Sequence, residues 1–138
     1  MTYTSADAAY AAIRAKAKTA ARLHGGTVDE WWHRFVFQRF LARVFTADAD
    51  GWFLKGGQAL LVRNPTGRYS HDIDLYRDSS GTRNEAVAAL RAAVAYDLGD
   101  FMRFEFAGRD DHADENRVAR VTFAVIFGSR RHNAIGVD

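Results

Sequence analysis

The chain contains no cysteine among its 138 residues. A disulfide framework, a thiolate zinc site and a cysteine nucleophile are therefore excluded. Any metal must be bound through oxygen or imidazole, and the five histidines lack the spacing of a zinc signature, so they are predicted to be structural. No apolar run approaches the roughly 18 residues needed to cross a bilayer, and the N-terminus lacks a signal-type hydrophobic segment. We expect a cytoplasmic protein with no membrane partner.

Neither sign of charge dominates the sequence. Nineteen basic residues accompany 17 acidic ones, for a net charge of +2. Composition alone therefore does not indicate nucleic-acid binding, although a local basic surface stays open. With 48% hydrophobic residues, a chain of this length buries one core but hardly two. The prediction is a single domain over residues 1–138.

Two helices are predicted before the first strand. The Ala-rich segment from Ser5 to Leu23 has Ser5 as its N-cap. Thr27 and Glu30 have the spacing of a capping box and predict a second helix that runs to about Phe45. The aromatic cluster of this second helix is assigned to the core rather than to nucleobase stacking. Its members are Trp31, Trp32, Phe35, Phe37 and Phe40.

The remainder of the sequence alternates between strand and helix patterns. Strands are predicted at Trp52–Lys55, Tyr69–Tyr76, Phe101–Phe106, Val118–Phe127 and Asn133–Asp138, with helices at Gln58–Arg63 and Thr82–Leu98. The order ααβαβαβββ is an α+β plan with a mixed sheet and packed helices. The last strand pattern is still in progress at Asp138, which predicts either a short protein or a fragment of a longer one.

Asp72-Ile73-Asp74 is the most informative motif of the chain. On a strand, side chains alternate between faces, so Arg68, Ser70, Asp72 and Asp74 share one face. A guanidinium, a hydroxyl and two carboxylates together bind phosphate oxygens and the Mg²⁺ that neutralises them. A lone Asp-x-Asp is more typical of a solvated edge strand, and the preceding glycine pair is what favours the site.

Gly56 and Gly57 precede this motif by a short distance in the chain. Glycines let backbone amides approach an anion closely, as the phosphates of a nucleotide require. Lys55, directly before them, is equally compatible with a phosphate contact and with a solvated strand end.

A third carboxylate is expected at the site. Two-metal sites for phosphoryl transfer hold ions about 3.5 to 4 Å apart, bridged by carboxylates, and a further acid completes the ligands and accepts the proton of the attacking hydroxyl. Asp138, at the end of a late apolar strand, is the candidate, and Glu105 is the runner-up, with a surface ion pair to Arg103 as its alternative interpretation. The acidic cluster Asp110, Asp111, Asp114 and Glu115 is assigned to a solvated loop.

These residues resemble the AbiEii-like nucleotidyltransferase toxins, whose relatives include the MenT toxins. The family pattern is a strand, Lys-Gly-Gly or Gly-Ser, a short helix, then Arg-x-Ser-x-Asp-hydrophobic-Asp-hydrophobic. Here it stands as Lys55-Gly56-Gly57 and as Arg68 to Leu75. The resemblance implies the polymerase-β-like nucleotidyltransferase fold, phosphates at the two glycines, and Mg²⁺ at Asp72 and Asp74 with Asp138 as the third acid. It also implies a C-terminal helical part that these 138 residues do not contain.

The function implied is transfer of a nucleoside monophosphate from an NTP to an acceptor hydroxyl with two Mg²⁺ ions. By the same resemblance the protein is a toxin that acts on an RNA acceptor, the 3′ end of tRNA, and is paired with a cognate antitoxin protein. Two alternatives stay open. One is a non-catalytic module of the same fold that binds RNA or protein, and the other is a nucleotidyltransferase that modifies a small molecule.

Overall fold

The computed structural model describes residues 3–54, 73–77, 81–111 and 119–138. Over these residues the chain forms α1 (Ala6–His24), α2 (Val28–Ala47), β1 (Trp52–Leu54), β2 (Leu75–Arg77), α3 (Arg83–Val94), β3 (Met102–Asp111), β4 (Ala119–Phe127) and β5 (Arg130–Val137). The predicted α+β class is confirmed. The predicted helix at Gln58–Arg63 lies outside the described residues. None of the described helices combines the length and apolar character needed to cross a membrane.

The first two helices begin where their caps predict. The Ser5 hydroxyl accepts a hydrogen bond from the Ala8 N–H at 3.1 Å, and α1 ends at Gly25, whose positive φ of 85° suits glycine. The Thr27 hydroxyl accepts from the Glu30 N–H at 3.1 Å, while the Glu30 carboxylate accepts from the Thr27 N–H at 3.3 Å. The predicted capping box is therefore present in full, and α2 continues two residues beyond Phe45.

The aromatic cluster of α2 lies mainly in the core. Trp32, Phe37 and Phe40 are buried, and Phe40 packs edge-on against Phe104 with ring centroids 5.1 Å apart. Trp31 and Phe35 are only partly buried. Since the buried aromatic rings pack against the sheet, the core interpretation is confirmed for the main part of the cluster.

Two antiparallel ladders meet through one parallel pairing. β1 pairs with β2, and β4 lies between β3 and β5. An isolated parallel bridge between Ile73 and Val137 joins the first ladder to the second. Across this bridge the strands follow the order β1-β2-β5-β4-β3, so the predicted mixed arrangement is present.

A bulge in β5 sets the register at the bridge. Asn133 and Ala134 together lie opposite Ala124, because the pairing shifts between Phe123 and Val125. Beyond the bulge Val121 lies opposite Val137. Without the extra residue Val137 would lie opposite Arg120, since a one-residue slip exchanges the two faces of a strand.

The chain between α3 and β3 departs from the sequence prediction. α3 ends at Val94 rather than at Leu98. Beyond its end the Asp97 carboxylate accepts a hydrogen bond from the Gly99 N–H at 2.8 Å, a local turn that competes with helix continuation.

β3 runs further than predicted, so Asp110 and Asp111 belong to a strand and the loop prediction is wrong for both. Asp114 and Glu115 of the same acidic cluster lie outside the described residues.

A buried ion pair fastens α2 to the start of β3. The Arg43 side chain is 1% exposed and donates to both carboxylate oxygens of Asp100, at 2.6 and 3.0 Å, and to the Met102 carbonyl at 2.6 Å. Arg39 donates to the same carboxylate at 2.8 Å. Burial by itself would raise the pKa of Asp100. The hydrogen bonds from Arg43 and Arg39 together outweigh burial, so the pKa of Asp100 lies below the ordinary value of 3.8.

Replacing Asp100 with Asn is expected to destabilise the fold by about 3 kcal/mol, because the buried Arg43 guanidinium loses its counter-charge. Urea denaturation followed by tryptophan fluorescence measures the change. The stability that the ionised Asp100 contributes is fully present above the ordinary pKa of 3.8 and is lost as the pH falls through the lower folded-state pKa. The free energy of unfolding of Asp100→Asn should therefore depend less on pH in this acidic range.

The matched control is Glu105→Gln, which breaks the exposed pair with Arg103 at 3.0 Å. Its cost should stay below about 1 kcal/mol. Equal losses in the two variants would show that burial does not strengthen the Asp100 contact.

Candidate active site

Asp74 and Asp138 lie directly opposite each other on neighbouring segments of the sheet. The Asp138 N–H donates to the Ile73 carbonyl at 2.9 Å, and the Leu75 N–H donates to the Asp138 carbonyl at 3.0 Å. Asp138 thus bonds to the residues on either side of Asp74, the pattern of paired residues in parallel strands. The predicted neighbourhood of the Asp74 and Asp138 segments is present at the level of the backbone.

The two aspartates share the polar side of these segments. Their neighbours Ile73, Leu75 and Val137 are buried, with Ile73 0% and Val137 2% exposed. Because side chains alternate along extended backbone, Asp74 and Asp138 project to the opposite side, and both are partly exposed. The apolar side fixes the position of the two segments, and the polar side is left for chemistry.

Arg120 on β4 contacts the Asp138 carboxylate. The Nη1 atom of its guanidinium lies 3.2 Å from both carboxylate oxygens, and the side chains of Arg120 and Asp138 are 35% and 23% exposed. The β4–β5 register continues from Val121↔Val137 to place Arg120 beside Asp138, and Arg120 pairs with Asp110 on β3. We call Asp74, Asp138, Arg120 and Asp110 the charged row, since they follow one another across four neighbouring segments.

Gly136 leaves room for the Arg120 guanidinium. A Cβ atom at this position would lie 2.5 Å from Nη2 and 2.9 Å from Cζ of Arg120. The guanidinium therefore crosses directly over the glycine on its way to Asp138. Any larger residue at Gly136 would displace it.

Comparison with known families decides the identity of the chain. The model of the nucleotidyl transferase AbiEii toxin family, from a type IV toxin–antitoxin system, matches residues 39–138. The chain belongs to the AbiEii family. No curated protein matches the chain.

The AbiEii match covers all four members of the charged row and every residue proposed for the site from sequence. It leaves α1 and about the first half of α2 outside. The resemblance noted from the Lys-Gly-Gly and Asp-Ile-Asp motifs is thereby confirmed at the level of the family. The family consists of nucleotidyltransferase toxins, so its activity implies an NTP substrate and its toxin–antitoxin context implies an antitoxin partner.

Several predicted site residues lie outside the described part of the chain. They are Lys55, Gly56, Gly57, Arg68, Ser70 and Asp72. Their predicted roles stay predictions. Among the described residues, Leu54, which precedes Lys55 in the chain, pairs with Leu75, which follows Asp74.

Glu105, the runner-up for the third acid, forms the surface ion pair considered as its alternative. Its carboxylate lies 3.0 Å from the Arg103 guanidinium, and its side chain is 50% exposed. It pairs with Ala124 on β4, whereas Asp138 lies beside Arg120, four residues away and therefore about 13 Å along the strand. The geometry favours Asp138 as the partner of Asp74.

Asp74 and Asp138 have the chemistry that a divalent cation requires. Carboxylate oxygens are the preferred protein ligands of Mg²⁺, and a cationic group, the Arg120 guanidinium, already lies against one of the two carboxylates. Within the described ranges no cluster of three or more metal-ligating side chains is present, and Asp72 lies outside those ranges. The two described aspartates therefore supply oxygen ligands of the type that Mg²⁺ binds, and the predicted role of Asp72 stays a prediction.

A separate cavity of about 740 Å³ lies between α1, α2 and the segment that precedes β3. Its charged lining residues are Lys16, Arg39 and Asp100, and its other lining is mostly apolar. The Asp100 carboxylate accepts hydrogen bonds from Arg39 and Arg43. Phe101, also in the lining, precedes the first residue of β3, while Asp110 lies near the other end of that strand. The cavity and the charged row therefore occupy opposite ends of the sheet.

Sequence reasoning missed Arg120 and the place of Asp110 beside it. The only signal is the register of the β3–β4–β5 meander, and two irregularities obscure it. The pairing shifts once near Ala107 on β3 and once at Asn133 and Ala134 on β5. Without the bulge at Asn133 and Ala134, counting residues outward from the Gly128 turn would put Val137, not Asp138, beside Arg120.

Asp138 should matter far less for stability than its neighbour Val137. Val137→Ala removes buried methyl groups and is expected to cost roughly 2 kcal/mol. Asp138→Asn alters a partly exposed ion pair and should cost less than about 1 kcal/mol. Urea denaturation of both variants measures the two values. A larger cost for Asp138→Asn would assign Asp138 a structural role instead of a place in the site.

Proposed function

We propose that this AbiEii-family chain is a Mg²⁺-dependent nucleotidyltransferase that moves a nucleoside monophosphate from an NTP to an acceptor hydroxyl. The observation that carries the proposal is the pairing of Asp74 directly opposite Asp138, on the polar side of an apolar layer. Two carboxylates held by backbone hydrogen bonds supply the fixed negative charge that such a site needs. The family match over the same residues supports the reaction class.

We assign Asp72, Asp74 and Asp138 to hold two Mg²⁺ ions. When bound, the ions would neutralise the negative charge of the triphosphate and of the departing pyrophosphate. The acceptor oxygen forms a bond to the α-phosphorus, and the bond from that phosphorus to the pyrophosphate oxygen breaks. The Asp138 carboxylate accepts the proton of the acceptor hydroxyl.

The glycine pair and its neighbours would hold the nucleotide. We assign Gly56 and Gly57 to the triphosphate, with Lys55, Arg68 and Ser70 as further phosphate contacts. The described backbone supports this placement, because β1 ends one residue before Lys55 and pairs with β2 next to Asp74.

The acceptor and the biological role are proposed from the family. We propose that the acceptor is RNA, at the 3′ end of tRNA, and that the modification stalls translation until a cognate antitoxin protein counteracts it. Membership in a type IV toxin–antitoxin family supports the toxin role and the antitoxin, whereas the tRNA acceptor rests on the resemblance of the sequence motifs.

The test is transfer of label from α-³²P-labelled NTPs to total RNA in the presence of Mg²⁺. The native chain is expected to label RNA of tRNA size with one or more of the four NTPs. Asp74→Asn and Asp138→Asn should each lower the rate at least about 100-fold, because each removes fixed charge at the reacting phosphate. EDTA should abolish labelling.

Glu105→Gln is the matched control, since it removes an exposed carboxylate of the same sheet, about 13 Å along the strands from Asp138. It should label RNA at the native rate. Label found only in small molecules would replace the RNA acceptor with a small one. RNA binding without labelling under any NTP would contradict the enzymatic proposal and favour the non-catalytic binding module.

A further inference from the structure

We propose that Arg120 is a counter-ion of Asp138 that competes with the divalent cation for the Asp138 carboxylate. The inference rests on the proposed function, since it concerns the same pair of aspartates. Arg120 belongs neither to the Asp-Ile-Asp motif nor to the glycine pair. The contact is a cross-strand one, between β4 and the end of the β5 segment.

The geometry of the contact is that of a replaceable counter-ion. A single nitrogen, Nη1, reaches both Asp138 oxygens at 3.2 Å. Charge-assisted N–H···O bonds are usually about 2.7 to 2.9 Å long, and the strongest arginine–carboxylate pairs use two nitrogens in a fork. The Arg120 contact covers both oxygens, so a cation that binds them must loosen it. Because the Nη1–oxygen distances are long for such a pair, replacing the guanidinium with a cation requires little free energy.

Arg120 reduces the electrostatic repulsion between the Asp74 and Asp138 carboxylates. Asp74 and Asp138 are adjacent positions of paired segments on one face, and like charges directly opposite each other destabilise a sheet. The guanidinium offsets this repulsion while no cation is bound. Once a divalent cation takes over the neutralisation, the same guanidinium adds a repulsion of its own.

Strand pairing itself does not need this contact. Val121 and Val137 lie directly opposite each other beneath it, and each is 2% exposed. That apolar pair holds β4 and β5 together, whereas the Arg120 side chain is 35% exposed. If Arg120 had only a structural role, its replacement would leave the cation affinity unchanged. If Arg120 competes with the cation, its replacement would raise that affinity.

The experiment measures the binding of Mn²⁺, as a substitute for Mg²⁺, to the full chain by isothermal titration calorimetry. Arg120→Gln removes the charge and should tighten Mn²⁺ binding about fivefold. Arg120→Lys keeps the charge and should stay within about twofold of the native affinity. The matched control, Arg131→Gln, removes one positive charge from an exposed position of β5 and should also stay within about twofold.

Unchanged or weaker Mn²⁺ binding in Arg120→Gln would overturn the inference. If binding depends on Asp74 and Asp138 but not on Arg120, only the inference fails. If the native chain binds no Mn²⁺, or if Asp74→Asn and Asp138→Asn leave its affinity unchanged, the metal site of the proposed function fails with it.

A second measurement follows a side-chain resonance of the native chain itself. In ¹⁵N-labelled protein the Nε–Hε resonance of Arg120, assigned from its absence in Arg120→Lys, should shift as Mg²⁺ saturates the site. The Nε–Hε resonance of Arg131 should remain in place. A stationary Arg120 resonance at saturating Mg²⁺ would overturn the competition that we propose.

Discussion

The parallel backbone pairing between Ile73 and Val137 is the contact on which the geometry of the site depends. It joins the β1–β2 ladder to the β3–β4–β5 ladder, and its hydrogen bonds run from 2.9 to 3.2 Å. The relative position of Asp74 and Asp138 is consequently set by main-chain atoms and by the buried side chains beneath them. Because neither carboxylate is needed to hold the segments together, both are available to bind a ligand. This division lets function vary at the polar face without loss of the fold.

Local patterns predicted most of the fold because they depend on local chemistry. The caps at Ser5 and Thr27 and the alternation that ends at Asp138 are properties of short segments, and the structure contains each of them. The end of α3 was predicted too late, since the Asp97 turn overrides the helix propensity of an Ala-rich segment. The loop prediction for Asp110 and Asp111 is wrong because their place in a strand depends on pairing with β4, a tertiary property that acidic composition does not reveal.

The candidate site was predictable in part for the same reason. Asp74 and Asp138 could be connected from the sequence, since a short motif and a late apolar strand each indicate one carboxylate. Arg120 could not be, because its place beside Asp138 depends on the bulge at Asn133 and Ala134. An extra residue in one strand reverses which side chains face each other beyond it, and no short motif marks its position here. The role of register explains why a residue in contact with the site stayed hidden.

Two arginine–aspartate pairs at opposite ends of the sheet illustrate how burial separates structure from function. Arg43 is 1% exposed, uses two nitrogens on Asp100, and approaches it to 2.6 Å. Arg120 is 35% exposed and uses one nitrogen at 3.2 Å. Breaking the first pair leaves a charge with little access to water, so its geometry must persist. The second pair is partly solvated, so its partners can separate at low cost when a competing cation arrives. An arginine–aspartate ion pair thus persists where it is buried and can be exchanged for a cation where it is partly exposed to solvent.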